Sequence, residues 1–271
     1  MTKLSDAAFR SVCDYFWKIS GIRLTDAKRA LVLSRLHRLA LEHGHDDLDA
    51  FIERLTRGQL PKAAEVAVVD RLTTNETYFF REPAHFADLR ERARKHAAQH
   101  GRKGDFRVWS AASSSGEEAY SAAMQLDDSL GDSPWRIHGT DLSTTVVAAA
   151  RTGLYALDRA QNLSTEFLKR YCLRGEGPYE GQLLIDRKLR ARVDFQCANL
   201  TQPLPDQLPM FDVIFLRNVL IYFEPAAKAD IVRRVITKLK PEGVLYTGHA
   251  ESLSGLGLPL AAVAPAIYRH E

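Results

Sequence analysis

Phe106-Arg-Val-Trp-Ser-Ala-Ala-Ser-Ser-Ser-Gly-Glu-Glu118 carries the fold of this chain. A short apolar run passes into a turn of small residues, and an acidic helix start follows, predicting a helix from about Gly116 to Leu130. Downstream the same alternation repeats. Arg136–Leu142 reads as a strand and Ser143–Arg151 as a helix, then Phe211–Leu216 as a buried strand, Pro225–Lys240 as a helix and Gly243–Thr247 as a strand. Strands alternating with helices indicate right-handed βαβ units and a mostly parallel sheet. Two stretches depart from this pattern. Leu183–Asp194 alternates apolar and charged residues and predicts an antiparallel hairpin after the turn-rich Arg174-Gly-Glu-Gly-Pro-Tyr-Glu-Gly181. Ala266–Arg269 predicts a final edge strand.

Upstream of Gly101 the period is helical throughout. Leu4–Ser20 carries apolar residues at helical spacing and stops at Gly21; Thr25 opens a second helix that closes at Gly44. Asp46 or Asp47 opens a third, ending at Gly58, and Pro61 starts a fourth that runs to about Leu72. The 271 residues exceed the roughly 150 of a typical domain, so two units are expected. The predicted division is a helical domain over 1–75, a linker and connecting helix over 76–100, and an α/β domain over 101–271 with a small β insertion at about 174–194.

Composition narrows the class. With 37 Lys+Arg against 34 Asp+Glu the net charge is +3, too weak to imply nucleic acid, and 45% hydrophobic residues exclude bulk disorder. No apolar run is long enough for a membrane span, and the amino end lacks the apolar core of a signal peptide. Cys13, Cys172 and Cys197 are far apart and form no CxxC pair, as in a reduced cytosolic protein.

In an open parallel sheet, ligands bind beyond the carboxyl ends of the strands. The first strand delivers Ser110–Glu118, whose small residues allow close backbone approach. Glu117 and Glu118 would repel a pyrophosphate and suit a cationic amino group, or they merely stabilise the helix start through its dipole. The second strand delivers Asp141, which either accepts the hydroxyls of a ribose or caps the next helix, a duty Ser143 could take. Asn199 and Leu200 suit the edge and face of an adenine ring; alternatively Asn199 is a turn residue bonding its own backbone. Arg217 and Asn218 end a buried apolar strand, where an unpaired charge is costly. Leu72–Glu82 is dense in polar and aromatic residues and reads as a loop packed over a ligand, or as a hinge anchored by Tyr78, Phe79 and Phe80. His43 and His45 lack a partner at metal spacing, so no metal is expected, and neither a P-loop nor a Gly-x-Gly-x-x-Gly occurs.

Thr73–Arg81, Ala112–Glu118, Gly139-Thr-Asp141, Phe215–Phe223 and Gly248–Leu253 occur in this order, and together they resemble the CheR-type chemotaxis methyltransferases over nearly the whole chain. Ala119, Leu216 and Ala250 depart from the usual Pro, Cys and Ser of these motifs. The resemblance implies a Rossmann-like S-adenosylmethionine (SAM) methyltransferase domain with a small antiparallel β insertion, preceded by an all-α domain. It implies methyl transfer from SAM to glutamates of bacterial chemoreceptors, leaving S-adenosylhomocysteine. Glu117 would hold the methionine amino group, Asp141 the ribose, and Asn199 with Leu200 the adenine. Asn75, Thr77, Arg217 and Asn218 would complete the pocket, and Arg81 and Tyr222 would lie near the transferring methyl and the incoming glutamate. Lys28, Arg35 and Arg38 would form a basic arc on the second helix, facing an acidic receptor bundle. A receptor carboxyl-terminal peptide at the β insertion, a monomeric state and a cytoplasmic location complete what it implies. A glutamate of reference pKa about 4.3 is already an anionic nucleophile, so no general base is required. Two other readings share the fold: a SAM-binding signalling module without catalysis, and a small-molecule methyltransferase, which would not need the basic arc.

Overall fold

The computed structural model describes residues 4–101 and 104–271; residues 1–3 of the expected helical domain and 102–103 of the expected α/β domain lie outside the described residues. The chain forms two compact units, one running to Thr74 and including Tyr222–Ala227, the other comprising Asn75–Ile221 and Lys228–Glu271.

The first unit contains α1 (Asp6–Ser20), α2 (Arg29–Glu42), α3 (Leu48–Thr56) and α4 (Lys62–Leu72). The Ser5 hydroxyl caps α1 by accepting from the Ala8 amide at 3.1 Å, and Asp47 caps α3. Thr25 makes no capping bond with its side chain; a single 3-10 turn, Asp26–Lys28, leads into α2 instead. Helix α1 packs on α3 and α2 on α4, burying Val12, Phe16, Leu36, Phe51, Ile52 and Val68 completely. Helix α2 buries Val32, Leu36, Leu39 and Ala40, with Leu33 only partly covered.

In the second unit, α5 (Pro83–His100) precedes β1 (Phe106–Ser110), α6 (Glu117–Leu130), β2 (Trp135–Asp141) and α7 (Thr144–Thr152). Then come β3 (Leu154–Ala156), α8 (Thr165–Tyr171), β4 (Cys172–Arg174), β5 (Gln182–Ile185), α9 (Arg187–Arg190) and β6 (Val193–Cys197). The chain closes with β7 (Phe211–Leu216), α10 (Pro225–Ile236), which starts in the segment grouped with the first unit, β8 (Leu239–Thr247), β9 (Leu260–Ala264) and β10 (Ile267–His270). Seven strands form one sheet in the order β6-β2-β1-β7-β8-β10-β9, with β10 antiparallel to both neighbours, and β3-β5-β4 form a separate antiparallel sheet. The order reverses between β1 and β7, which is where a doubly wound sheet opens a crevice for a ligand.

Three expectations are corrected. Leu183–Asp194 is not a hairpin. The alternation at Leu183 and Ile185 is real, but Asp186 then accepts from the Lys188 amide at 2.7 Å and starts a helical turn. That turn redirects the chain, and the next strand joins β2 in parallel as an edge of the main sheet. The β insertion is accordingly built from residues 154–185 rather than 174–194. Ile267–His270 is not the edge strand either; it lies between β8 and β9, with Ile267 buried. Helix α5, expected as a connecting element, is a packed layer of the α/β unit, since its Phe86, Leu89 and Ala93 join the main core against α6.

Candidate cofactor site

Loops of the second unit bring the candidate residues to the carboxyl ends of β1, β2, β6 and β7. After β1 the chain turns through Ala111–Gly116 into α6. Gly116 has φ +97°, and a Cβ there would meet the Ala150 Cβ at 2.9 Å and the Phe195 ring at 3.1 Å. Only glycine fits that turn. Among the described residues, five non-glycine residues have positive φ, and four of them, Phe80, Glu82, Ser114 and Asn218, lie in the loops around this site. Each such conformation costs of order 1 kcal/mol or more and persists where the surroundings hold it. The restraints are visible. The Phe80 amide donates to Ser121 Oγ at 2.9 Å, the Ser114 amide to Asp141 Oδ2 at 2.8 Å, and the Asn218 amide to Glu251 Oε2 at 2.6 Å.

The two acidic residues of the turn have separate duties. Glu117 is wholly buried; its Oε2 accepts from Ser115 Oγ at 2.7 Å and its Oε1 meets the Arg159 guanidinium. Glu118 accepts from Ser110 Oγ at 2.7 Å and pairs with Arg217 at 3.2 Å. Burial pushes the Glu118 carboxyl up, more than Arg217 and the Ser110 hydroxyl pull it down. Arg217 also reaches the Arg81 carbonyl and, at 3.1 Å, Glu82. Its side chain is fully buried among these groups. The guanidinium therefore clamps residues 81–82 to the start of α6.

Asp141 binds the Ser114 amide with Oδ2 and the Ser143 amide with Oδ1 at 3.0 Å, fastening the turn after β1 to the end of β2. Ser143 caps α7, the duty proposed for it from the sequence. Asn199 bonds the Thr201 amide at 3.0 Å and hydroxyl at 2.7 Å with its side-chain oxygen, so its turn role is real; Leu200 beside it is buried. The Asn75 carbonyl accepts from Ser114 Oγ at 2.9 Å and the Thr77 carbonyl from Arg159 Nη2 at 2.7 Å. Arg81 is half-buried, donates to the Glu76 carbonyl at 3.3 Å and stands over the Tyr78 ring. Asn75, Thr77, Arg81, Glu117, Asp141, Asn199, Leu200, Arg217 and Asn218 thus share one unit and one end of its sheet, whereas Tyr222 groups with the first unit.

Sequence reasoning missed Glu82, Arg159 and the role of Glu251. Glu251 is a buried carboxylate that accepts from the amides of Asn218, Ile221 at 3.2 Å and Gly248 at 2.7 Å, holding the loop after β7. A Cβ on Gly248 would strike both Asn218 Nδ2 and Glu251 Oε2 at 2.7 Å. The signal for Glu82 and Glu118 was Arg217 itself: a charge after a buried strand requires acidic partners. No local pattern marked Arg159.

Glu82, His85 and His249 place three ligand-type atoms within 4.8 Å of one another, a cluster no sequence spacing disclosed. The Arg217 guanidinium already stands beside the shared Glu82 oxygen and supplies the positive charge there. Burial tends to raise the Glu82 carboxyl, but Arg217, the His249 amide and the two imidazoles bring it below its usual value. His85 is buried, stacks on Tyr246 with ring centroids 4.9 Å apart, and has Nδ1 3.4 Å from Glu82 Oε2 with neither ring nitrogen in hydrogen-bond geometry. Burial, with Arg217 adding to it, pushes its pKa down to about 4. The unfolded chain takes up a proton below about pH 6.5 that the folded protein refuses, so this contribution to stability is complete above that pH and falls as the pH drops towards 4. In thermal melts between pH 7 and 4.5, His85→Phe is expected to show a shallower loss of stability than the wild type; parallel slopes would refute the assignment.

The structure has the means to hold SAM: a buried carboxylate that already carries a cation, a carboxylate at the end of β2, and a small-residue turn between them. Fold and site define the class, a SAM-dependent methyltransferase. The family model described as "CheR methyltransferase, SAM binding domain" matches residues 75–263, and "CheR methyltransferase, all-alpha domain" matches residues 7–73. The chain belongs to the CheR methyltransferase family. It is 42% identical to the chemotaxis protein methyltransferase of Salmonella typhimurium over 255 residues, covering 93% of this chain and 86% of that one. The Escherichia coli protein of the same description is 41% identical over 255 residues, covering 93% and 87%, and chemotaxis protein methyltransferase 2 of Pseudomonas aeruginosa is 36% identical over 263 residues, covering 96% and 91%. Among the described residues no helix is long and apolar enough to cross a membrane.

Proposed function

We propose that this enzyme esterifies glutamate side chains of bacterial chemoreceptors with the methyl group of SAM. The observation that carries the reading is Glu117, a wholly buried carboxylate in the turn after β1 with a cation on it. When bound, SAM supplies a methyl group on a positively charged sulfur. Glu117 takes the amino group, Asp141 the ribose hydroxyls, and Asn199 with Leu200 the adenine. Asp141 stands at the end of β2, where its Oδ2 accepts from the Ser114 amide and its Oδ1 from the Ser143 amide, so the carboxylate is held beside the turn after β1. Asn75, Thr77 and Asn218 complete the pocket, and Arg217 acts by positioning the loop that carries Arg81. Arg81 orients the incoming carboxylate and Tyr222 shapes the methyl site. Because the nucleophile is already ionised, these residues have only to align oxygen, methyl and sulfur and exclude water.

The receptor side of the reading rests on α2 and the 3-10 turn before it. Lys28, expected on the second helix, ends that turn instead; it and Arg38 are exposed, Arg38 beside Glu42 at 3.2 Å. Arg35 instead donates to the Arg71 and Thr73 carbonyls, both at 2.9 Å, and so secures the end of α4. The basic arc open to a receptor reduces to Lys28 and Arg38, with Arg35 as its support. A receptor carboxyl-terminal peptide on the three-stranded sheet, where Leu173 and Tyr179 are exposed, a monomeric state and a cytoplasmic location belong to the same proposal.

Incubation with methyl-labelled SAM and chemoreceptor-containing membranes is expected to give base-labile label on receptor glutamates. The Lys28→Ala/Arg38→Ala variant should label receptors several-fold more slowly with S-adenosylhomocysteine affinity unchanged. Binding of S-adenosylhomocysteine without any transfer would select a non-catalytic signalling module, and equal loss of binding and transfer in the variant would remove the receptor role of the arc.

A further inference from the structure

Both oxygens of Glu117 are engaged within the protein, Oε2 by the Ser115 hydroxyl and Oε1 by Arg159. Arg159 comes from the insertion, on the 3-10 turn Leu157–Ala160 that follows β3. The same Nη2 atom that meets Glu117 also donates to the Thr77 carbonyl at 2.7 Å, so one guanidinium spans two positions assigned above to SAM. The partners differ sharply in freedom: the Glu117 side chain is 0% exposed and the Arg159 side chain 41%. A carboxylate at that depth is strongly disfavoured without a cation. A SAM ammonium group would bring a second cation to an acceptor already neutralised, and two cations cannot share one Oε1 contact without repulsion. The exposed partner is the one with room to leave.

We propose that Arg159 is a resident counter-ion of Glu117 that the amino group of the incoming ligand displaces, so that binding is an exchange of one cation for another. The proposal rests on the reading of Glu117 as the amino-group site. Arg159 keeps the empty site neutral, and its departure subtracts from the affinity of every ligand that carries the ammonium group. A nucleoside that fills only the adenine and ribose positions leaves Arg159 where it is. Exchange also breaks the hydrogen bond from the insertion to the Thr77 carbonyl, while the Phe79–Tyr155 and Phe80–Phe167 ring contacts continue to join the two segments.

Isothermal titration of the full chain with two probes tests this, S-adenosylhomocysteine, which carries the amino group, and 5′-methylthioadenosine, which does not. Arg159→Gln is expected to bind S-adenosylhomocysteine about tenfold more tightly than the wild type, with 5′-methylthioadenosine unchanged. Arg159→Lys, which keeps the charge, should stay near the wild type. Without ligand Arg159→Gln should melt earlier, and saturating S-adenosylhomocysteine should remove the difference. Weaker or unchanged S-adenosylhomocysteine binding in Arg159→Gln would overturn the exchange, as would an equal change for both probes. Glu117→Gln separates the two levels. If it binds both probes like the wild type, the amino-group reading of Glu117 fails; if it loses only S-adenosylhomocysteine while Arg159→Gln changes nothing, the exchange alone fails.

Discussion

Arg217→Met should destabilise the α/β unit by about 3–5 kcal/mol, the usual consequence of removing one partner from a buried ionic group. The methionine retains most of the volume against Phe86 and Phe215, whose rings lie 5.8 and 5.7 Å from the guanidinium carbon. What disappears is the charge. Glu82 and Glu118 would lose the guanidinium that pairs with both, and the Arg81 carbonyl would lose its donor. Glu118 is least able to tolerate this, because burial already pushes its carboxyl up. Thermal unfolding should show a fall of roughly 10 °C for a unit of this size. Adding Glu118→Gln to Arg217→Met should recover part of the loss, since one stranded charge is then removed. A cost below about 1 kcal/mol for Arg217→Met would show that the clamp contributes little.

Arg81→Ala should reduce receptor methylation by about 100-fold or more, the scale expected when a group that orients a charged reactant is lost. The fold should survive. Among the described residues the Arg81 guanidinium makes one hydrogen bond, 3.3 Å to the Glu76 carbonyl, and it rests on the half-exposed ring face of Tyr78 5.6 Å away. The contact that fixes residues 81–82 is made by the Arg81 backbone carbonyl, which alanine retains. The melting temperature should therefore move by no more than a surface substitution moves it, within about 0.5 kcal/mol. Arg81→Lys should recover little, since an ammonium cannot reproduce the planar two-pronged recognition of a carboxylate. Near-normal turnover in Arg81→Ala, measured with labelled SAM at saturating receptor, would refute the role given to this residue.

The contrast between these two arginines shows how far the sequence could be read. Both stand in motifs that carry the family resemblance, and the resemblance places both at the pocket. Arg81 presents a half-buried side chain near Glu76, whereas Arg217 is enclosed by Glu82, Glu118 and a carbonyl. Nothing local separates a half-buried cation from an enclosed one, because the difference lies in which distant carboxylates the fold brings to it. Glu117 and Glu118 make the same point: adjacent in sequence, they serve Arg159 and Arg217 respectively. The basic arc on α2 was legible as periodicity, yet the end of α4 decides that Arg35 is an internal support.

By itself the sequence determined the two-part organisation and the alternation that builds a wound sheet. Those features follow from local chemistry: apolar period, capping side chains, and a glycine at φ +97° where no other residue fits the turn. Tertiary structure alone decided the path of residues 183–197, the placing of β10 inside the sheet and the partner of every buried charge. A strand's alternation states which face it buries but not which neighbour completes its hydrogen bonds. A buried carboxylate likewise states that it needs a cation, and only the fold supplies which one.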